Sequence, residues 1–344
     1  MGGWMLYGAN GYTGRLIAEL ARDAGEAPVL AGRRASEIEE MGARLGMETR
    51  VFELANLERH LDGVSTLLLA AGPFSVTSGP AVRACLLNRV NYLDITGEVT
   101  VFQELHGLRD KAVEAGIVIM PGVGFDVVPS DCVAATLAQA MPDATHLELA
   151  FSGGEFSKGT TKTMLTHIGD GGAIREGGVI KRVPVASKER RIAFRDKDRH
   201  CASIPWGDVA TAYYSTGIPN IVVYTAGSPK RSKQMRMIQK LGPVLTWGPV
   251  QKALFKLVDK KVAGPGAEAR ASHKTQLWGE VRNAKGETIS AQATTPEGYS
   301  LTATTALEST RRICELKPGY YTPSMAFGAG FLEGFEGCEL VLNR

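Results

Sequence analysis

Between residues 4 and 120, short apolar runs alternate with amphipathic stretches, and that alternation leaves the chain few folds to choose from. Trp4–Tyr7 reads as a strand, followed by a glycine-rich turn and a helix from about Thr13 to Arg22 that stops near Gly25. Pro28–Ala31 is a second strand, and Ser36 opens a helix in which Glu39, three residues on, completes a capping box. Arg50–Leu54 is a third strand; Val64–Ala71 is a fourth, apolar enough throughout to be buried on both faces. Ser78 precedes a helix to about Asn88, Tyr92–Ile95 is a fifth strand, Thr100 with Gln103 repeats the capping box, and Ile117–Met120 is a sixth strand. Six short strands with helices between them require a parallel, doubly wound sheet with right-handed crossovers.

The pattern changes after Gly122. Pro129-Ser130-Asp131 starts a helix over Cys132–Ala140, and His146–Phe151 alternates as a strand. Strands then dominate: Ile180–Val185, Arg191–Phe194, Ile221–Thr225, Lys274–Arg282 and Thr288–Thr294, the last two joined as a hairpin by Asn283-Ala284-Lys285-Gly286. A long helix over about Tyr299–Glu315 and a last one near Ser324–Phe335 follow. The fold class is therefore α/β: a doubly wound parallel domain over 1–130 and a second α+β domain with a mainly antiparallel sheet over 131–319, with 320–344 returning to the first.

Composition agrees and removes several functions. The 344 residues are enough for two domains. Gly occurs 40 times, against about 24 at average usage, which suits tight turns and close backbone approach. A net charge of +3 gives no reason to expect nucleic acid as a partner. Five scattered cysteines without a CxxC pair point to a reducing cytoplasm and to neither a disulfide framework nor a metal site. No targeting segment is visible, since the first strand is already under way at Trp4. The uncharged stretch Val64–Val82 reaches membrane-spanning length, but Gly72-Pro73 and Pro80 divide it into strand, loop and helix start.

The first turn carries the chemistry. Gly8-Ala9-Asn10-Gly11-Tyr12-Thr13-Gly14 has GxxGxxG spacing: Gly8 permits the sharp turn, Gly11 leaves room for a pyrophosphate, and Gly14 lets helix and strand pack closely. The helix N-terminus offers N–H groups and a positive dipole end to phosphates. The second strand ends Gly32-Arg33-Arg34-Ala35-Ser36, with two guanidiniums where an NAD site places a carboxylate. A ribose 2′-phosphate suits such a pair, so NADP(H) is the expected cofactor. Ala71-Gly72-Pro73-Phe74 after the fourth strand and Gly97 after the fifth fall at the strand carboxyl ends, where the nicotinamide half is expected. Asn56 is placed to reach the adenine or to cap a helix.

Together GANGYTG, AGRR, AAGPF, NYLDITGE and PGVGFDVVPSD resemble the saccharopine dehydrogenase-like oxidoreductases, particularly the branch that includes trans-acting enoyl reductases. Softer matches follow at Pro205-Trp206-Gly207-Asp208, Gly264-Pro265-Gly266, Glu297-Gly298-Tyr299 and Tyr321-Thr322-Pro323. The resemblance implies a Rossmann domain binding NADP(H) through Gly8, Gly11, Gly14, Arg33 and Arg34, a second α/β domain, and reduction of a C=C or C=N bond. The chain is shorter than true saccharopine reductases and shows no equivalent of their substrate-binding residues, so lysine metabolism is not implied.

No Tyr has a Lys four residues later, and there is no GxSxG or HExxH. Hydride chemistry then belongs to the cofactor, with the protein supplying position and a proton. Candidates for the proton are Tyr213, Tyr214, His167 and Lys162; Lys158–Lys162 could hold an anionic group, and Asp208 lines the site. Asp126 and Ser130 sit in the crossover between domains. The substrate expected is a small molecule or acyl group. Cys132, near a helix start, supports a second enzyme reading as a semialdehyde dehydrogenase with an activated thiol, although a buried structural cysteine is the commoner case. A reading from another class is a cofactor-binding sensor without turnover. Lys181–Arg199, with eight Lys/Arg against three acids, could steer an anionic carrier. Within Val244–Val262, Lys252, Lys256 and Lys260 lie opposite Val250, Leu254, Leu257, Val258 and Val262; this basic amphipathic helix suits peripheral membrane contact, core packing or a homodimer.

Overall fold

In a computed structural model of the chain, residues 3–152, 154 and 156–343 are described. They divide into two units, one running up to Asp126 with Tyr299–Ala326 added, the other comprising Val127–Gly298 and the residues from Phe327 onward.

Unit one is a parallel sheet of β1 (Gly3–Tyr7), β2 (Val29–Gly32), β3 (Thr49–Val51), β4 (Val64–Leu69), β5 (Asn91–Asp94), β6 (Val118–Met120) and, from the late segment, β15 (Gly319–Tyr320). The spatial order is β3-β2-β1-β4-β5-β6-β15, and every pair is parallel. The first six strands follow the doubly wound dinucleotide-binding order, which reverses direction between β1 and β4. Leu6 lies in register with Leu30 and Leu68, and all three are fully buried. β4 is buried at Val64 and from Thr66 to Leu69, as suits a central strand of a sheet covered on both faces.

Helix starts depart from the expected capping boxes. The helix after β2 spans Ala35–Leu45 with Arg34 at the cap position and no side-chain cap bond. Ser36 is thus already inside the first turn. The helix after β5 begins at Val99, one residue ahead of Thr100, and the segment to Gly116 divides into Val99–His106 and Arg109–Ala115. After β4 the helix begins at Phe74, not beyond Ser78, and runs to Asn88. Its first N–H groups find an acceptor far along the chain, described below, so the local sequence carries no cap signal.

Unit two is built on β7 (Ala144–Phe151), β8 (Gly172–Glu176), β9 (Val179–Val183), β10 (Glu189–Ala193), β11 (Asp198–Ser203), β12 (Asn220–Gly227), β13 (Lys274–Asn283), β14 (Thr288–Pro296) and β16 (Glu339–Asn343). The sheet order is β10-β11-β12-β7-β13-β14-β16, with β8 on β12 and β9 on β8. Among the described residues of this unit, β12 and β7 alone pair in parallel. The helix Val128–Ala140 packs on β13 at Gly279, where a Cβ would lie 2.6 Å from Val133 and 2.8 Å from Leu137.

The late chain differs from expectation. Residues from Phe327 stay with unit two, because β16 pairs with β14; the segment that joins unit one is Tyr299–Ala326. The helix Gly298–Arg312 is tied there by Thr305 Oγ1, which donates to the Val123 carbonyl at 2.8 Å, and by Arg311 Nε on Glu26 at 2.5 Å. The expected helix near Ser324–Phe335 is a short helix, Pro323–Phe327, and a 3₁₀ turn, Ala329–Gly334, separated by Gly328 at φ +87°.

Candidate functional site

The reversal point between β1 and β4 is where the glycine turn lies. Gly8 has φ +89°, and a Cβ there would stand 2.9 Å from the Ala70 and Ala71 backbone. The Gly8 and Ala9 amides donate to the Ala31 carbonyl at 2.8 and 3.2 Å, fixing the turn to β2. The helix Tyr12–Asp23 follows, and a Cβ on Gly14 would fall 2.3 Å from the Gly8 carbonyl oxygen. Gly11 occupies the cap position with no side-chain cap bond, and the first turn, which includes Tyr12, Thr13 and Gly14, has no acidic residue. The first N–H groups of a helix have no intrahelical acceptor. Gly11, as the cap residue, brings no side chain and no Cβ to this turn, which suits the pyrophosphate of a dinucleotide.

Just past the end of β2 a carboxylate joins the two guanidiniums. Glu37, in the first turn of its helix, accepts from Asn10 Nδ2 at 2.9 Å and from Arg34 Nη1 at 2.8 Å, with Arg15 Nη2 at 3.6 Å. The Asn10 hydrogen bond, then Arg34, holds its carboxyl below the usual range. Arg33 is exposed beside this group. Asn56 lies exposed in the 3₁₀ turn Leu54–His60 and caps no helix.

The carboxyl ends of β4, β5 and β6 form the other half. Glu98 is buried, and its carboxylate accepts from the Phe74 amide at 2.7 Å and the Ser75 amide at 3.0 Å. It thereby caps the helix Phe74–Asn88 and fixes the Ala71-Gly72-Pro73-Phe74 loop at the sheet edge. Phe74 is itself buried, and Thr77 Oγ1 donates to the Ala71 carbonyl at 2.7 Å. Asp94, fully buried, accepts from Tyr92 Oη at 2.7 Å and from the Thr96 and Gly122 amides at 3.0 Å each; burial pushes its carboxyl up to about 6. Gly97 allows Asp126 to close in, since a Cβ there would lie 2.6 Å from Asp126 Oδ2. Asp126 keeps some exposed surface, yet the atoms crowded round it desolvate its carboxyl and push it up to about 7. Sequence reading placed Asp126 only as a crossover residue; Asp94-x-x-Gly97-Glu98, two carboxylates flanking a glycine after a strand, was the available signal.

The candidates in unit two sit in structural pairs. Lys162 Nζ binds Asp259 at 2.6 Å and lies 5.7 Å from the Phe255 ring centre, while His167 Nδ1 meets Asp170 at 2.8 Å. The helix that starts at Lys158 is capped by its own Ser157, which accepts from the Thr160 amide, so that terminus is not left open for an anion. Tyr213 stacks on the buried Arg175, with the guanidinium carbon 4.1 Å from the ring centre. Burial raises the Tyr214 phenol, opposed by the same Arg175, which lowers it. Asp208 is fully buried in the first turn of the helix Asp208–Thr216. Cys132 is fully buried, and desolvation pushes its thiol well above the ordinary range, so the activated-thiol reading is corrected: burial outweighs any helix-end effect. Among the described residues no group of three or more His, Cys, Asp or Glu could hold a metal ion, and no helix is long and apolar enough to cross a membrane.

No family model matches the chain. A Mycobacterium tuberculosis protein, named provisionally as a trans-acting enoyl reductase, is 32% identical over 180 residues, 47% of this chain and 43% of that one. A saccharopine dehydrogenase-like oxidoreductase of Rattus norvegicus is 28% identical over 202 residues, 50% of this chain and 47% of that one. The matched segments thus span just under half the length of these curated relatives. Among solved structures, saccharopine dehydrogenase (L-Glu forming) from Saccharomyces cerevisiae superposes over 100% of both chains with TM-score 0.66 at 11% identity, a likeness of fold. Amine dehydrogenase from Mycobacterium smegmatis superposes over 93% of this chain and 94% of its own, with TM-score 0.50 at 12% identity.

Proposed function

We propose that this chain, similar over about half its length to a trans-acting enoyl reductase and a saccharopine dehydrogenase-like oxidoreductase, is an NADPH-dependent reductase of a C=C or C=N bond in a small or acyl-type substrate. The observation that carries this reading is the glycine-capped N-terminus of Tyr12–Asp23 at the β1/β4 reversal, with Arg33 and Arg34 at the end of the neighbouring strand. NADPH, when bound, supplies a hydride. The residues around it have three tasks. The first turn of the helix holds the pyrophosphate, and the paired guanidiniums hold the 2′-phosphate dianion. The Glu98 cap keeps the Ala71–Phe74 loop in place at the carboxyl end of β4. Asp126 is the proton donor in this reading: near neutrality its carboxyl retains a proton that can pass to the carbon or nitrogen next to the one reduced. The names of the enoyl reductase and amine dehydrogenase relatives are consistent with either bond type.

Isothermal titration with NADPH and NADH tests the first part; NADPH binding at least about tenfold tighter is expected, and equal affinity would overturn the arginine assignment. Stopped-flow oxidation of bound NADPH over a panel of enoyl thioesters, imines and semialdehydes tests the second. Turnover of any of them supports a reductase, whereas tight NADPH binding with no turnover across the panel favours the sensor reading.

A further inference from the structure

We propose that the face of unit two formed by residues 229–261 docks on an anionic lipid bilayer. Three consecutive helices build it: Pro229–Lys240, Gly242–Leu245 and Gly248–Lys261. Their inner side is held by the protein. Gly242 lies against Gly169 so closely that a Cβ would stand 2.6 Å from the Gly169 Cα, Val258 is buried, and buried Ser232 meets His200 Nε2 at 3.1 Å.

The outer side is unlike the rest of the surface. Met237, Ile238, Leu241, Val244, Trp247 and Leu257 are all exposed, Trp247 at 64%. Exposed apolar side chains this close together mark an interaction surface, where scattered single ones would need no explanation. The same stretch carries nine Lys and Arg against one acid, Asp259, while the remainder of the chain carries thirty against thirty-five; of the nine, Arg236 is held by Glu189 and the Ala186 carbonyl, which leaves eight for the outer side. A cationic shelf with aliphatic side chains and a tryptophan matches the lipid interface, where headgroup phosphates meet hydrocarbon. Trp in particular favours that boundary, having an apolar ring and one N–H donor. A second copy seated on this face would bring eight cations against eight. A nucleic acid would leave the methionine, leucine and valine side chains against phosphate or water.

The test uses the full chain and extruded vesicles of phosphatidylcholine, alone or with about one-third phosphatidylserine. Co-sedimentation is expected to rise at least about tenfold with the anionic lipid and to fall away at half-molar salt. Intrinsic fluorescence is expected to shift to the blue on binding, and the Trp247→Phe variant should lose that shift while still sedimenting. Lys252→Glu with Lys256→Glu should lower partitioning by about tenfold or more, with NADPH affinity and thermal midpoint unchanged. Several results would overturn the proposal: equal partitioning onto neutral and anionic vesicles, a wild-type blue shift that survives Trp247→Phe, a protein dimer in which Trp247 is shielded from iodide quenching, or binding of duplex DNA without vesicles.

Discussion

The two units use polar residues in different ways. In unit one the site is made largely by backbone: glycines where a Cβ would strike a carbonyl, a helix start left uncapped, and two buried acids, Asp94 and Glu98, that accept from main-chain amides. Unit two spends its charged side chains on one another and on the sheet. Arg190 lies between Glu148 and Glu280 over the Trp278 ring, Arg175 reaches the Val209 carbonyl, and Lys162 reaches Asp259. The difference teaches that a titratable residue in a loop is a weak pointer to chemistry, while a glycine that tolerates no Cβ beside an open helix start is a strong one.

The contrast can be broken most forcefully at Gly14. Gly14→Val should abolish dinucleotide binding and destabilise unit one by about 3 kcal/mol or more, because its Cβ meets a carbonyl oxygen that cannot move without the turn; calorimetry and thermal melting measure both. Next comes Asp126→Asn, expected to slow turnover by about a hundredfold. Wild-type turnover should decline as pH rises through about 7, where the carboxyl loses its proton, and the variant should lose that limb. The same group predicts a stability slope. A carboxyl raised from 3.8 to about 7 binds its proton more tightly when folded, so stability should fall as pH rises across that interval, and urea midpoints should fall less steeply in Asp126→Asn.

Arg33→Ala with Arg34→Ala should weaken NADPH binding by about tenfold or more and leave NADH nearly unchanged. Equal losses for both would mean that the arginines do not read the 2′ position. Glu98→Ala should cost about 1–2 kcal/mol through the lost cap on Phe74–Asn88, seen in chemical denaturation. The smallest effects are expected in unit two, where Lys162→Ala, His167→Ala and Tyr213→Phe should each change kcat by less than about threefold. A large kcat loss in any of them, with the thermal midpoint unchanged, would move the proton donor into unit two.

What could be read in advance follows the same division. The doubly wound order was legible because each crossover had its own period and its own turn residues. The glycine turn was legible because its function depends on residues adjacent in sequence. Glu98 and Glu37 were not: each acts on a partner tens of residues away, Glu98 capping Phe74 and Glu37 binding Asn10. Cys132 left an activated thiol open beside a buried structural one, since a helix start is visible in sequence and complete desolvation is not. The three helices of 229–261 showed their lysine period, yet only the folded exposure of Trp247 and Val244 distinguishes an outward apolar face from core.

One feature of the sheet bears on how the chain is made. β15 closes the edge of unit one against β6, with Gly319 beside Val118, although all of Val127–Gly298 is translated between them. On the ribosome, six strands must therefore wait for their seventh with a raw edge in water, and the helix that fastens Val123 emerges just as late. An excised fragment ending at Asp126 should for that reason aggregate where the whole chain does not, and pulse-labelled hydrogen exchange should find β6 among the last amides to gain protection.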